Sequence, residues 1–217
     1  MLVASGRFKL HRSFGLAVLI AAPLVTATSA WLGVLSAARA LASGQPDALI
    51  VQNVMVTLQF ALLVCLGFLL RRQRALHGAL LASTAILFGG IALFFALLTF
   101  VPMLRIEGPE TFYRFGLAAM IGQAICLAVG AALFASAPRT RWPYLLAAVF
   151  FVFSEGLNQA LTGLDLAWPA TRMVGSLDAF ATFTVVFAAM GAGLAAVLRP
   201  RLRLAGGPER PRREQAR

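Results

Sequence analysis

The chain has 217 residues, 60% of them hydrophobic and only 12% charged. Soluble domains are closer to half apolar and a quarter charged, so a water-soluble fold of this size has no way to hide its apolar surface, whereas a lipid-facing exterior removes the difficulty. The net charge of +11, from 19 Lys and Arg against 8 Asp and Glu, lies between and after the apolar runs, which is a membrane pattern and not a nucleic-acid one.

Six apolar stretches are long enough to cross a bilayer at about 20 residues each: 14–36, 50–70, 78–102, 115–136, 143–163 and 177–198. The first follows Arg7, Lys9 and Arg12. A cleavable signal peptide competes for it, with the core Gly15 to Ala22 and Thr28-Ser29-Ala30 before Trp31. The uncharged run continues through Trp31-Leu32-Gly33-Val34-Leu35 to Ala38, which favours a retained helix. After the break Ser43-Gly44-Gln45-Pro46-Asp47, the second span carries a polar strip of Gln52, Asn53, Thr57 and Gln59. The fourth span, which holds Gln123, has small residues four apart: Ala118, Gly122, Cys126 and Gly130. The sixth offers Ala188, Ala189, Gly191, Ala192 and Gly193. Small residues let membrane helices approach closely, within one chain or across a dimer face. Residues 199–217 form a basic, Pro- and Gly-containing tail, expected to be disordered and to rest on anionic lipid or dock a cytoplasmic partner. The domain reading is therefore a transmembrane domain, 1–198, and a tail.

Orientation follows from counting Lys and Arg. One side holds 15: Arg7, Lys9, Arg12, Arg71, Arg72, Arg74, Arg139, Arg141 and seven in the tail. The other side holds 4, namely Arg39, Arg105, Arg114 and Arg172. The predicted fold is an all-α polytopic membrane protein, six transmembrane helices in one bundle with both termini cytoplasmic. Trp142 and Tyr144 suit the inner interface, and Tyr113, Trp168 and Trp31 the outer one. Lys9 is the only lysine, an Arg-over-Lys bias that suits a GC-rich bacterial genome, so the expected location is the bacterial inner membrane.

Glu155 is the most informative residue. A carboxylate at membrane depth costs a few kcal/mol on insertion scales, so such groups are paired, neutral or functional. Glu155, Asn158, Gln159 and Thr162 fall at i, i+3, i+4 and i+7, one face of the fifth span. Helix rise puts Glu155 about 12 Å below the outer end, the level of Gln59 and Gln123. Asp178 and Thr182 open the sixth span, and Asp178 could pair with Glu155 if those helices face each other. The candidate ligand-binding set is therefore Glu155, Asn158, Gln159, Gln59, Gln123 and Asp178, in the outer half of the bundle. Interhelical hydrogen bonding is the plainer reading of each amide.

Signatures of other chemistry are missing. There is no Gly-x-Ser-x-Gly, phosphate-binding loop, His-Glu-x-x-His or Cys/His cluster, and no catalytic residue, metal or cofactor is assigned. Cys65 and Cys126 lie inside apolar runs and read as small packing residues. His11 and His77 sit at predicted cytoplasmic helix ends. They suit interfacial polar roles, with a single bridging haem as the alternative; a diheme centre would need four axial ligands.

The stretch Leu69-Leu70-Arg71-Arg72-Gln73-Arg74-Ala75-Leu76-His77-Gly78-Ala79-Leu80-Leu81 resembles an element of uncharacterised bacterial multi-spanning membrane proteins. In these a helix ends in arginines and the next opens with a histidine. The resemblance covers the second and third spans and implies a membrane role for Arg71, Arg72 and His77 at the inner turn. Three functions stay open. The first is binding or transport of a small polar or amphipathic ligand, with Glu155 holding a proton or pairing with a cation. The second is a structural or assembly subunit, as a homo-oligomer or with a membrane partner. The third is a membrane enzyme acting on a lipid or quinone.

Overall fold

A computed structural model describes residues 8–137 and 140–198, with side chains from residue 15 onward. The tail 199–217, Arg139 and the side chain of His11 lie outside the described residues, and with them the lipid contact and the haem alternative. Seven helices follow in order: α1 (Phe8–Ala42), α2 (Ile50–Leu69), α3 (Arg74–Phe100), α4 (Tyr113–Ser136), α5 (Arg141–Gly163), α6 (Ala167–Gly175) and α7 (Ala179–Leu198). Among the described residues there is no strand, and six helices are long and apolar enough to cross a membrane. The sixth predicted span is α7, because the connection expected to be a simple break contains α6.

The short helix α6 has a clear local cause. Pro169 lies in its first turn, where the ring removes no intrahelical bond. Thr171, fully buried, donates its hydroxyl to Ala167 O at 2.8 Å and accepts the Asp47 backbone N–H at 2.9 Å. The α1–α2 turn is thereby pinned to α6. Asp47 Oδ1 accepts the Leu49 N–H at 2.9 Å, just ahead of α2. Nine residues are too few to stand out by apolar length, which is why sequence reading passed over α6.

Close approaches run antiparallel from helix to helix. The late half of α1 meets the start of α7 through Trp31 and Phe183, whose rings are edge-on at 6.2 Å. The end of α2 meets the start of α3, where a Cβ on Gly67 would sit 3.2 Å from Leu81. A Cβ on Gly122 would sit 3.4 Å from the Gly90 carbonyl oxygen of α3, and one on Gly130 would run into Ala148 of α5. The four-residue spacing on α4 thus serves packing inside the chain: Ala118, Gly122, Cys126 and Gly130 are its buried residues. By contrast, the small residues of α7 are not used this way, as Gly191 and Gly193 have nothing within 4 Å of an added Cβ.

The centre of the bundle is α2, which packs against α1, α3, α5 and α7. Leu63, Leu80 and Leu87 are fully buried in the core around it. Large apolar side chains such as Ile20, Leu58, Phe95, Val152 and Phe180 point outward, as a lipid-facing surface permits. One end of the bundle, here the loop end, carries the connections 43–49, 101–112 and 164–178. The other, the arginine end, carries 70–73 and the end of α4 with the start of α5.

Candidate functional site

Toward the loop end, α2, α3, α4 and α5 line a partly open cavity of about 190 Å³. Its polar lining is Gln52 and Asn53 of α2, Gln123 of α4 and Ser154 of α5; the rest is apolar, with Phe94, Phe95, Phe150 and Phe151 as the large surfaces. No charged side chain lines it. The periodicity of α2 accounts for its share. Leu49, Gln52, Asn53 and Val56 fall at i, i+3, i+4 and i+7 and form one stripe. Gly90 of α3 makes room opposite, since a Cβ there would lie 2.8 Å from the Phe151 ring.

Ser154 is the unusual member. Buried hydroxyls in this bundle bond back to the carbonyl four residues earlier: Thr26 to Ala22, Ser83 to Ala79 and Thr171 to Ala167, at 2.7–2.8 Å. That back-bond is the ordinary resting place of a helical Ser or Thr hydroxyl. Ser154 is only 1% exposed, lines the cavity, and its hydroxyl has no hydrogen-bond partner. Gln52 Oε1 is a second unpartnered buried oxygen among the lining residues. Such atoms are rare in native structures, and each costs about 1–3 kcal/mol when left unmade.

The structure distributes the sequence-predicted residues unevenly. Gln123 lines the cavity. Glu155 does not; α5 contributes Phe150, Phe151 and Ser154 instead. From the Gly130–Ala148 approach, two turns along each helix, about 10 Å, bring Gln123 and Glu155 to one level. Glu155 is half-buried there and accepts a 2.7 Å hydrogen bond from Nε2 of Gln159 on its own helix. Asn158 is half-buried, and its carbonyl accepts the Thr162 hydroxyl at 2.9 Å. The polar face of α5 thus forms hydrogen bonds along itself, a consequence of i, i+4 spacing that helical geometry supplies without a partner helix.

Gln59 lies deeper, 7% exposed, and donates from Nε2 to Leu146 O of α5 at 2.7 Å, while its Oε1 has no partner. It lines a separate groove of about 270 Å³ between α2 and α5. Asp178 stands apart from all of these. It is exposed at the start of α7, where Oδ1 accepts the Ala181 N–H at 2.6 Å as a helix cap. Because α7 packs on α1 and α2, no acid pair with Glu155 is built. Sequence reading passed over Ser154. It sits beside the more conspicuous Glu155, and only the missing back-bond, invisible in sequence, distinguishes it.

At the arginine end, Arg71 Nη1 donates to Phe68 O at 3.0 Å and to Val197 O at 2.9 Å, closing the C-terminal turns of α2 and α7 together. His77 Nδ1 lies 2.8 Å from Gly67 O. A carbonyl only accepts, so Nδ1 carries the proton. Arg72 is exposed. Set against known protein families, curated proteins and solved structures, the chain matches none.

Proposed function

We propose that this chain is a multi-pass protein of the bacterial inner membrane, with both termini cytoplasmic, that binds or transports a small neutral amphipathic ligand through the α2–α5 cavity. The orientation rests on the 15-to-4 distribution of Lys and Arg, which puts the arginine end inside and the cavity in the outer half. The observation that carries the ligand reading is the unpartnered Ser154 hydroxyl in a cavity otherwise walled by aromatic and aliphatic side chains. A site built from apolar surface with a few placed polar groups is the usual form of a small-molecule pocket. A charged ligand would find no counter-charge in the lining. Glu155 stands beside Ser154 at the cavity's level and would act on ligand or proton passage at its edge.

The test uses photoactivatable octan-1-ol on the purified full chain in phosphatidylcholine nanodiscs, read by mass spectrometry of labelled peptides. Saturable labelling of Phe94, Phe95 or Phe151 is expected, with loss in Ala119→Phe, which fills the cavity from α4. Labelling that does not saturate, or that survives Ala119→Phe, would rule the cavity out as a binding site. A second reading, an assembly subunit, is favoured by α7, whose Gly191 and Gly193 face open space beside exposed Ala188, Ala189 and Ala192. It predicts a dimer or a co-purifying membrane partner that Gly191→Leu disrupts.

A further inference from the structure

Four helices bring lining residues of the cavity to one level. Gln59 of α2 donates to Leu146 O of α5 at 2.7 Å. These helices are antiparallel, so seven residues toward the loop end on each bring Gln52 level with Phe153 and Ser154. By contrast, α3 and α5 run the same way. A Cβ on Gly90 would lie 2.8 Å from the Phe151 ring, and one turn further on Phe94 comes level with Ser154 and Glu155. A Cβ on Gly122 of α4 would meet the Gly90 carbonyl oxygen at 3.4 Å and the Phe94 nitrogen at 3.5 Å, which sets Gln123 beside them. Gln52, Phe94, Gln123 and Ser154 all line the cavity, and they lie within about 5 Å of one another along the helix axis.

We infer that the cavity's ligand is a phenol, a flat aromatic ring carrying a neutral hydroxyl, with the ring against Phe94 and Phe151 and the hydroxyl between Gln52 and Ser154. This rests on the cavity reading above and adds the ligand's chemical class. The polar pair sets the hydroxyl. Gln52 Oε1 and Ser154 Oγ are both buried with no partner. Oε1 only accepts, so the ligand must donate, and Oγ carries a proton that needs an acceptor. One hydroxyl does both, and it would serve equally if the amide turned its NH2 to the cavity. A ketone, an ether or a carboxylate has no proton to give, and an ammonium would be buried without a counter-charge. The rings set the body. Phe94 is edge-on to Phe95 at 5.0 Å and to Phe115 at 4.8 Å, and Phe150 is edge-on to Phe151 at 5.5 Å. The α3 pair and the α5 pair line the same space. An aromatic ring entering there gains edge-to-face contact beyond its area burial, which an aliphatic body does not. The volume of about 190 Å³ is small against the roughly 300–1,000 Å³ of pockets for drug-sized ligands, and it suits a single ring.

The experiment competes photoactivatable octanol off the full chain in phosphatidylcholine nanodiscs, with labelling of Phe94, Phe95 or Phe151 as the readout. Three competitors are compared at matched concentration in the bilayer: para-propylphenol, para-propylanisole, which has no proton to give, and propylcyclohexanol, which has no aromatic ring. The phenol is expected to compete roughly fivefold more strongly than the anisole, the equivalent of one net hydrogen bond. It should also compete several-fold more strongly than the cyclohexanol. Gln52→Leu combined with Ser154→Ala should abolish the first difference and keep the second, whereas Phe94→Leu should shrink the second and keep the first. Should a variant not fold, the three competitors on the unaltered chain decide the matter alone. Equal competition by phenol and anisole would overturn the hydroxyl, and equal competition by phenol and cyclohexanol would overturn the ring. In both cases saturable octanol labelling leaves the cavity reading standing. If octanol itself does not label the cavity saturably, the underlying reading falls and this one with it.

Discussion

The two ends of the bundle treat their polar groups differently. At the arginine end Arg71 closes the last turns of α2 and α7, and His77 closes the end of α2. Toward the loop end and mid-helix lie the described buried side-chain atoms with no partner: Asp47 Oδ2, Gln52 Oε1, Gln59 Oε1, Arg114 Nε and Ser154 Oγ. Satisfied polar groups fix a single packing, and unsatisfied ones mark where the fold has kept room for something else. On the proposed reading recognition belongs to the loop end, which is nevertheless also tied together where Thr171 accepts the Asp47 N–H.

The comparison breaks most readily at Arg71. Its two bonds go to carbonyls at helix C-termini, where a cation also meets the negative end of the helix dipole. Arg71→Met should lower stability by about 1.5–3 kcal/mol, the range for hydrogen bonds to a charged group. Arg71→Lys should recover part of it, since an ammonium is a point charge without the planar fork. Thermal unfolding in detergent measures both. A melting temperature unmoved by Arg71→Met would mean that the clasp between α2 and α7 is not a stabilising contact.

A smaller effect separates α4 from α7. Gly130 lies against Tyr144 O and Ala148, so Gly130→Leu must push α4 from α5, by overpacking of about 1–3 kcal/mol. Gly191→Ala meets nothing and replaces glycine in a helix, so stability should hold or rise by up to about 1 kcal/mol. Equal losses at the two positions would show that the α7 face is packed after all, as a dimer would make it.

Much of the architecture was legible because length and apolarity alone single out a helix able to cross a membrane, and the six such helices among the described residues start and stop near the predicted breaks. The small-residue spacing on α4 was also legible as packing, but its partners were not: Gly122 uses α3 and Gly130 uses α5. The candidate site was legible only as a level in the membrane. Of the two amides expected at the depth of Glu155, Gln123 lines the cavity and Gln59 does not, while Gln52 and Asn53, read as a polar strip above that level, line it as well. Helical phase, however, could not say that Glu155 would bond within its own face while Ser154, one residue away and rotated by about 100°, would enter the lining. Asp178 looked like a partner acid because its place in the packing order is set by α7 choosing α1 and α2, and apolar periodicity does not encode that choice.

The smallest expected effects sit side by side on α5 and sharpen the contrast between its two neighbouring polar residues. Glu155 and Gln159 form an i, i+4 pair on a partly exposed face, worth about 0.2–0.5 kcal/mol in isolated helices. Glu155→Gln keeps a hydrogen-bonding group at the same length, so it should fold with near-unchanged stability. If proton passage at the cavity edge matters, activity should fall while folding does not, because an amide cannot change protonation state. Ser154→Ala removes a hydroxyl that bonds to nothing, and deleting an unpaired buried polar group is neutral or stabilising. The protein should therefore melt at the same temperature or slightly higher. It should nevertheless retain less photoactivatable octanol, since the lining has lost the hydroxyl that both donates and accepts. A site kept at some expense to stability is what a binding function requires of a fold. If Ser154→Ala instead melts clearly lower, the hydroxyl has a partner within the protein, and the contrast between the two ends of the bundle loses its best example.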